Sequence, residues 1–302
     1  MSDPVVSAFQ AVDVPVLNYH LWRPCNMRCA YCFAHFDECI REKARPEVEA
    51  ARCVDVIRQA AQAGISKITF SGGEPTLCPW LFDAVAESRR LGLTTMVVSN
   101  GSLIDQEWLG RYAGILDWLG LSVDSLCAAT NSLIGRCRSG GMPCSGAEYQ
   151  SLCRRVRAAG VGLKINTVVS AFNHREDFAA LLDEARPARW KLFQALEVRG
   201  QNDAHFNLCR VSDDDYAAFL RRHDRHACLV PESNAAMRGT YLMINPEGCF
   251  FDNAEGAHRT SLPVWQVGWE SARAQVRVSA RGFHARGGDW EWVRSTCESK
   301  SA

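Results

Sequence analysis

The sequence has no excess of charge of either sign: 34 Lys and Arg balance 34 Asp and Glu over 302 residues. A global electrostatic footprint for nucleic acid is therefore excluded, and any site for a polyanion has to be local. No apolar run approaches the ~20 residues that a membrane span needs. No secretory hydrophobic region opens the chain, and the first residues, MSDPVVSAFQAVDVP, carry two prolines and make no amphipathic surface helix. No internal repeat is visible. Cysteine, in contrast, is plentiful at 14. The cysteines are scattered over a chain of enzyme size, so reduced thiols in a cytoplasmic protein are expected rather than a secreted disulfide scaffold. Downstream of Lys191 only Cys209, Cys228, Cys249 and Cys297 remain. They lie too far apart for a second metal cluster and are expected to behave as small buried hydrophobes.

What is present reads as an α/β chain, 47% hydrophobic, sufficient for one large domain or two small ones. Strands are predicted at Pro15–Trp22, Lys67–Phe70, Thr94–Ser99, Leu116–Val123, Gly162–Ser170 and Arg189–Leu196. Helical patterns fall between them at Glu47–Ala63, Pro79–Leu91, Asp105–Tyr112, Ala147–Ala159 and His174–Glu184. Gly64, Gly92 and Gly160 stand where helix C-caps belong. Such alternation predicts a parallel sheet with right-handed crossovers, here a partial (β/α)6 barrel. A helix at Ser212–Arg225 then leads into an irregular region rich in Gly, Trp and Arg, expected to cover the open side of the barrel. The expected division is a short N-terminal segment (1–15), the barrel (16–210) and a C-terminal extension closing the site (211–302).

The run WRPCNMRCAYCF places Cys25, Cys29 and Cys32 at C-x3-C-x2-C spacing. Three thiolates on a four-iron cluster leave one iron open to a small molecule. A structural zinc knot closed by His20 or His35 is the alternative at this point. The expected site lies at the C-terminal ends of the strands. After the second strand comes Ser71-Gly72-Gly73-Glu74-Pro75, whose glycines let backbone approach a ligand and whose Glu74 can accept from an ammonium group. Ser99-Asn100-Gly101-Ser102 ends the third strand. Ser122 and Asp124 end the fourth, and Asp124 reads as a turn residue.

Strand alternation adds a cationic feature. Lys164 and Asn166 share one face of their strand, opposite Leu163 and Ile165. Arg189 and Lys191 share another, opposite Trp190 and Leu192. Lys67 with Thr69, and Asn18 with His20, repeat the pattern. With the apolar residues facing the helices, three lysines and an arginine point into the barrel, which is costly without an anionic partner. Internal ion pairs are the alternative, with Glu197 as the main candidate carboxylate. A bound polyphosphate is the preferred reading.

The cysteine spacing together with GGEP resembles the radical S-adenosylmethionine (SAM) enzymes. The longer series NYHLWRPCNMRCAYCF, FSGGEP, VSNGSLI, LIGR, KINTVVSAFN, RWKLFQ, LVPESN and RGG resembles the viperin family, in the same order and at similar spacing, from Asn18 to about Arg294. The resemblance implies a [4Fe–4S] cluster on Cys25, Cys29 and Cys32. It implies SAM contacts from Tyr31, Gly72, Gly73, Glu74, Asn100 and Ser122. It implies nucleotide contacts from Asn18, Lys67, Arg136, Lys164, Asn166, Arg189, Lys191 and Trp290, with no dedicated acid or base.

The implied reaction converts a ribonucleoside triphosphate (CTP first, GTP or UTP next) into its 3′-deoxy-3′,4′-didehydro analogue, an antiviral chain terminator. A 5′-deoxyadenosyl radical removes the C4′ hydrogen, the 3′-hydroxyl leaves as water, and one more electron and a proton complete the product. An electron donor such as flavodoxin or ferredoxin is implied, with no direct nucleic-acid or membrane contact and a monomeric protein. Two departures stand out. The chain has neither the N-terminal membrane helix nor the aromatic tail of animal viperins, which points to a bacterial, archaeal or fungal type. Trp290 stands where the family often has Tyr. The competing readings are a radical SAM enzyme acting on another phosphorylated or peptide substrate, and a non-catalytic iron–sulfur or zinc protein.

Overall fold

In the computed structural model, residues 13–36, 46–138 and 140–290 are described. Seven strands run parallel in chain order: β1 (Val16–Trp22), β2 (Lys67–Gly72), β3 (Thr94–Ser99), β4 (Trp118–Ser122), β5 (Gly162–Val169), β6 (Arg189–Gln194) and β7 (Leu229–Glu232). Helices α1 (Pro46–Gln62), α2 (Leu81–Arg90), α3 (Gln106–Tyr112), α4 (Ala128–Ile134), α5 (Gly146–Ala158), α6 (Ala179–Ala185), α7 (Asp203–Cys209) and α8 (Asp213–Arg222) connect them. The extension adds α9 (Asn234–Met237), β8 (Leu242–Ile244), β9 (Cys249–Asp252), β10 (Arg259–Pro263), α10 (Val264–Val267), α11 (Trp269–Arg273) and α12 (Ala280–Ala285). The sheet order is β10-β9-β8-β1-β2-β3-β4-β5-β6-β7.

The six predicted strands are all present. The extension does more than cover them, however: β7 joins β6 at one edge, and β8 joins β1 at the other, followed by the antiparallel β9 and β10. These strands have three to five residues, and β7 contains Pro231, so their periodicity is too short to read and their proline suits an edge. Helices α4 and α7, seven residues each, were not predicted. The helix expected from His174 starts only at Ala179. Cys297 and the chain beyond residue 290 lie outside the described residues.

The outward faces of the strands and the inner faces of the helices make one core. Leu17, Ile68, Val97, Leu119, Leu163, Ile165, Trp190 and Leu192 from the sheet join Val56, Ile57, Leu81, Val85, Leu152, Val156 and Leu181 from the helices. Each such side chain contributes about 1.5–3 kcal/mol on burial. Helix α5 shows how the sequence sets an element. Ser145 and Glu148 form a reciprocal capping box, and Tyr149, Leu152, Cys153 and Val156 make its buried stripe. Gly160, at φ +70, turns the chain out. Because the helices take the apolar faces, the polar alternates of β1 to β6 line the interior.

Candidate active site

A cavity of about 340 Å³ occupies that interior. Its two ends differ in kind. At the C-terminal ends of the strands it is walled by Cys25, Cys29, Cys32, Gly72, Gly73 and Glu74. Lys67, Lys164, Arg189 and Lys191 wall it toward the strand starts.

The cysteine loop is gripped on two sides by glycines. Gly73 N–H donates to the Trp22 carbonyl at 2.6 Å and Glu74 N–H to the Pro24 carbonyl at 2.9 Å. A Cβ at Gly73 would strike the carbonyls of Arg23 and Pro24. The close approach expected of these glycines is therefore already used by the chain itself. On the other side Arg28 N–H donates to the Gly135 carbonyl and Ala30 N–H to that of Ile134, at 3.1 and 2.9 Å. Gly135, at φ +86, likewise has no room for a Cβ against the Arg28 carbonyl.

Glu74 is fully buried and accepts from Thr76 N (3.1 Å), Thr76 Oγ1 (2.6 Å), Ser99 Oγ (2.7 Å) and Asn100 N (2.9 Å). Burial raises its pKa and these donors oppose the rise. Three of the four bonds fall on Oε1, so Oε2 keeps acceptor capacity toward the cavity. Asn100 donates to Asn26 Oδ1 at 2.9 Å and accepts from Ser102 N at 2.9 Å, tying the cysteine loop to the end of β3.

Sequence reasoning missed Asp124. It is 2% exposed and accepts from Tyr31 Oη and from Val168 N at 2.6 Å. It also pairs with Arg136 Nη1 at 2.7 Å. Arg136, expected among the phosphate-holding cations, is thereby placed at the thiol end. It donates to the Ser122 carbonyl at 2.6 Å and lies 3.8 Å from Cys29 Sγ. The carboxylate was read as a turn residue because its three partners are brought together only by the cysteine loop, the segment after α4, and β5.

At the other end the strand faces fall as alternation requires. Lys67, Thr69, Lys164, Asn166, Arg189 and Lys191 are all buried and all line the cavity. Burial, reinforced by the neighbouring cations, pulls Lys67 and Lys164 well below the usual lysine range and Lys191 to about 8. The carboxylate that faces these groups is Glu232 rather than Glu197, which pairs with Arg210 at 2.9 Å. Glu232 bonds Lys191 Nζ and Tyr241 Oη and lies 3.4 Å from Arg286 Nη1. None of Glu232, Tyr241 and Arg286 had been assigned a role. Glu232 lies in LVPESN and Arg286 opens RGG, two of the runs that carry the resemblance, but Glu232 sits on a four-residue strand and Arg286 and Tyr241 lie in segments without clear periodicity, so alternation could not orient them. Trp290 is placed one layer behind the wall, edge-on to Trp118 at 5.2 Å and 5.4 Å from the Arg189 guanidinium. Asn18 and His20 line the middle of the cavity. The His20 ring packs among Phe33, Phe36 and Phe251, and burial lowers its pKa to about 3.

The thiol end suits a polynuclear cluster. Cys25, Cys29 and Cys32 carry free thiols on one wall. Among the described residues, no three metal-ligating side chains converge on a single ion. Burial pushes Cys29 up to about 12 and Cys32 to about 11, as it does the core thiols of Cys53 and Cys153, and the Arg136 guanidinium opposes the rise at Cys29 and Cys32. His20, surrounded by aromatic rings, makes no closed mononuclear set with them.

The profile of the Radical SAM superfamily matches residues 19–185. The S-adenosylmethionine-dependent nucleotide dehydratase of Flammeovirga pacifica is 37% identical over 281 residues, covering 92% of this chain and 96% of that protein. The chain belongs to the viperin family of radical SAM nucleotide dehydratases. A second viperin-family relative, the S-adenosylmethionine-dependent nucleotide dehydratase of Lacinutrix mariniflava, is 42% identical over 300 residues, covering 97% of this chain. The chain spans only 62% of that longer protein. Among solved structures, Streptococcus suis SuiB bound to S-adenosylmethionine superposes with a TM-score of 0.60 at 18% identity, over 78% of this chain and 59% of that one. That likeness concerns the fold shared by viperins and other radical SAM enzymes. Among the described residues no helix is long and apolar enough to cross a membrane.

Proposed function

We propose that the chain dehydrates a ribonucleoside triphosphate, CTP first, to the 3′-deoxy-3′,4′-didehydro nucleotide, using a [4Fe–4S] cluster on Cys25, Cys29 and Cys32 together with SAM. The observation that carries this reading is the two-ended cavity: three thiols at one end, and Lys67, Lys164, Arg189 and Lys191 at the other. A triphosphate is the anion that such a concentration of buried cations suits. With its phosphates anchored there, the ribose lies between the two ends, beside Asn18 and Asn166.

Held at the thiol end by Glu74 and the cysteine loop, SAM would supply a 5′-deoxyadenosyl radical able to take the C4′ hydrogen. The protein's part is placement. Glu74, through its remaining Oε2 capacity, receives the SAM ammonium group. The phosphate anchors fix C4′ of the nucleotide, and the barrel wall keeps water from the carbon radical. The 3′-hydroxyl then departs as water with one proton, and one electron from a flavodoxin- or ferredoxin-like donor closes the C3′–C4′ double bond. No side chain has to act as a strong base.

The test is an anaerobic assay of the reconstituted protein with SAM and dithionite, offering CTP, GTP, UTP and ATP separately. The expected result is 5′-deoxyadenosine formation stimulated by one triphosphate, with a nucleotide lighter by one water. Slow SAM cleavage that none of the four stimulates would retain the radical chemistry and reject the nucleotide substrate.

A further inference from the structure

Glu232 is the least expected group at the cationic end. A carboxylate behind an anion site repels the ligand, and a fully buried one is costly unless it is paired. Glu232 has no exposed surface and does not line the cavity. The three groups it contacts all do: Lys191 Nζ, Tyr241 Oη and Arg286. They are also bound to one another. Lys191 Nζ donates to Tyr241 Oη at 3.2 Å, and the Arg286 guanidinium lies over the Tyr241 ring at 3.6 Å. Behind Glu232 its own N–H donates to Tyr216 Oη at 3.1 Å, and Tyr216 Oη donates to the Leu192 carbonyl at 2.7 Å. Arg286 is further held by the Thr240 carbonyl, at 3.2 Å from Nε and 3.1 Å from Nη2.

We propose that Glu232 is a positioning residue for polyphosphate binding: from behind the wall it aims Lys191 and Arg286 into the cavity without touching the ligand, and Tyr241, whose hydroxyl donates to Glu232 and accepts from Lys191, braces the pair. This rests on the phosphate-binding reading above and assigns Arg286 to the same site, with Tyr241 as a brace between Glu232 and Lys191. Glu232 also determines which cations are charged. Burial works against its own ionisation, but Lys191 and Arg286 outweigh that and hold its pKa below the usual range. In return Glu232 offsets part of the burial cost on Lys191, whose pKa burial lowers to about 8. The charged and titratable groups facing this unit are Lys67 from β2, Lys164 from β5, Arg189 and Lys191 from β6, Tyr216 from α8, Tyr241 before β8 and Arg286 after α12.

Without the carboxylate charge, Lys191 gives up its proton at lower pH, and one donor to the ligand is lost in alkaline solution. At acid pH Lys191 is charged in either protein, and the repelling carboxylate is gone. A residue that merely held the fold together would weaken binding at every pH alike.

The test measures inorganic tripolyphosphate binding to full-length wild type and Glu232→Gln by calorimetry at pH 6 and pH 9, with circular dichroism confirming the fold. The variant is expected to bind at least 10-fold more weakly at pH 9 and within 2-fold of wild type at pH 6. In turnover assays KM for the triphosphate should rise while kcat stays within 2-fold. Equal affinity of the two proteins at both pH values, an equal loss at both, or a wild type that does not bind tripolyphosphate would overturn the proposal. If Glu232→Gln does not fold, Tyr241→Phe replaces it: a 3- to 10-fold loss of affinity is expected, and wild-type binding would overturn the proposal. The two readings fail separately. Tripolyphosphate binding with the predicted pH pattern but no nucleotide turnover would sink the substrate reading and leave Glu232's role intact.

Discussion

The thiol end and the cationic end of the cavity are built by opposite means. The thiol end is made of loops, with Cys25 to Cys32 on one excursion of the chain held between Gly73 and Gly135 by backbone hydrogen bonds. The cationic end is made of strand faces, its charges supplied by β2, β5 and β6 and fixed by the pleat. Loops can set a spacing independently of the sheet, so the first end carries a compact motif. A strand can only offer alternate residues, so the second end is dispersed over more than a hundred positions. The two halves should therefore fail separately when mutated.

Cys29→Ser should give the largest effect. Production of 5′-deoxyadenosine should fall below detection, while tripolyphosphate affinity stays within about 3-fold, because the charged groups of the other end contribute their ~1.5–3 kcal/mol each without it. A joint loss in calorimetry would show that the ends are not independent. Lys164→Met reverses the pattern. Triphosphate affinity should drop roughly 10- to 100-fold, the equivalent of one charge-assisted hydrogen bond, with the visible absorption of the reconstituted cluster unchanged.

Acidity sharpens the contrast further. Lys67 and Lys164 are held below the usual lysine range and Lys191 is near 8, so binding a polyanion draws protons onto them. Triphosphate affinity should fall as pH rises from 7 to 9, with proton uptake visible in calorimetry run in buffers of different ionisation enthalpy. The free protein should move the other way. Between about pH 8 and the ordinary lysine value of about 10.4, the unfolded chain holds the extra proton on Lys191, so stability rises with pH. Urea unfolding at pH 8 and pH 10 measures this directly. The smallest effect belongs to Trp290→Ala, which removes the ring beside Arg189. It should cost about 0.5–1 kcal/mol, a 2- to 5-fold loss in triphosphate affinity with unchanged SAM cleavage.

The same contrast explains what the sequence could disclose. The inward placement of Lys164, Arg189 and Lys191 was legible because each alternates with apolar neighbours over six or more residues. The cysteine spacing marked a metal-binding run, and the resemblance, through GGEP and the later motifs, favoured iron–sulfur over zinc. Glu232 was not, since its strand is four residues long and contains a proline, leaving Glu197 as the nearer candidate. Asp124 looked like an ordinary strand-end residue, and its bonds to Tyr31, Arg136 and Val168 depend on segments far apart in the chain. Arg136 was placed among the nucleotide contacts by the resemblance of its LIGR run, which does not tell which end of the barrel it will meet.

A fully closed β/α barrel packs layers of branched side chains into its centre. This one leaves about 340 Å³ there, with the buried cations Lys67, Lys164, Arg189 and Lys191 gathered at one end. Stability forgone at the axis is restored when an occupant arrives, so under the proposed function a bound nucleotide would act as a removable piece of the core. Bound at a hundred times its Kd it adds about 2.7 kcal/mol to the folded state. A cell rich in triphosphate would keep this chain folded for longer than one depleted of it, and abundance would then follow substrate supply before any catalysis takes place.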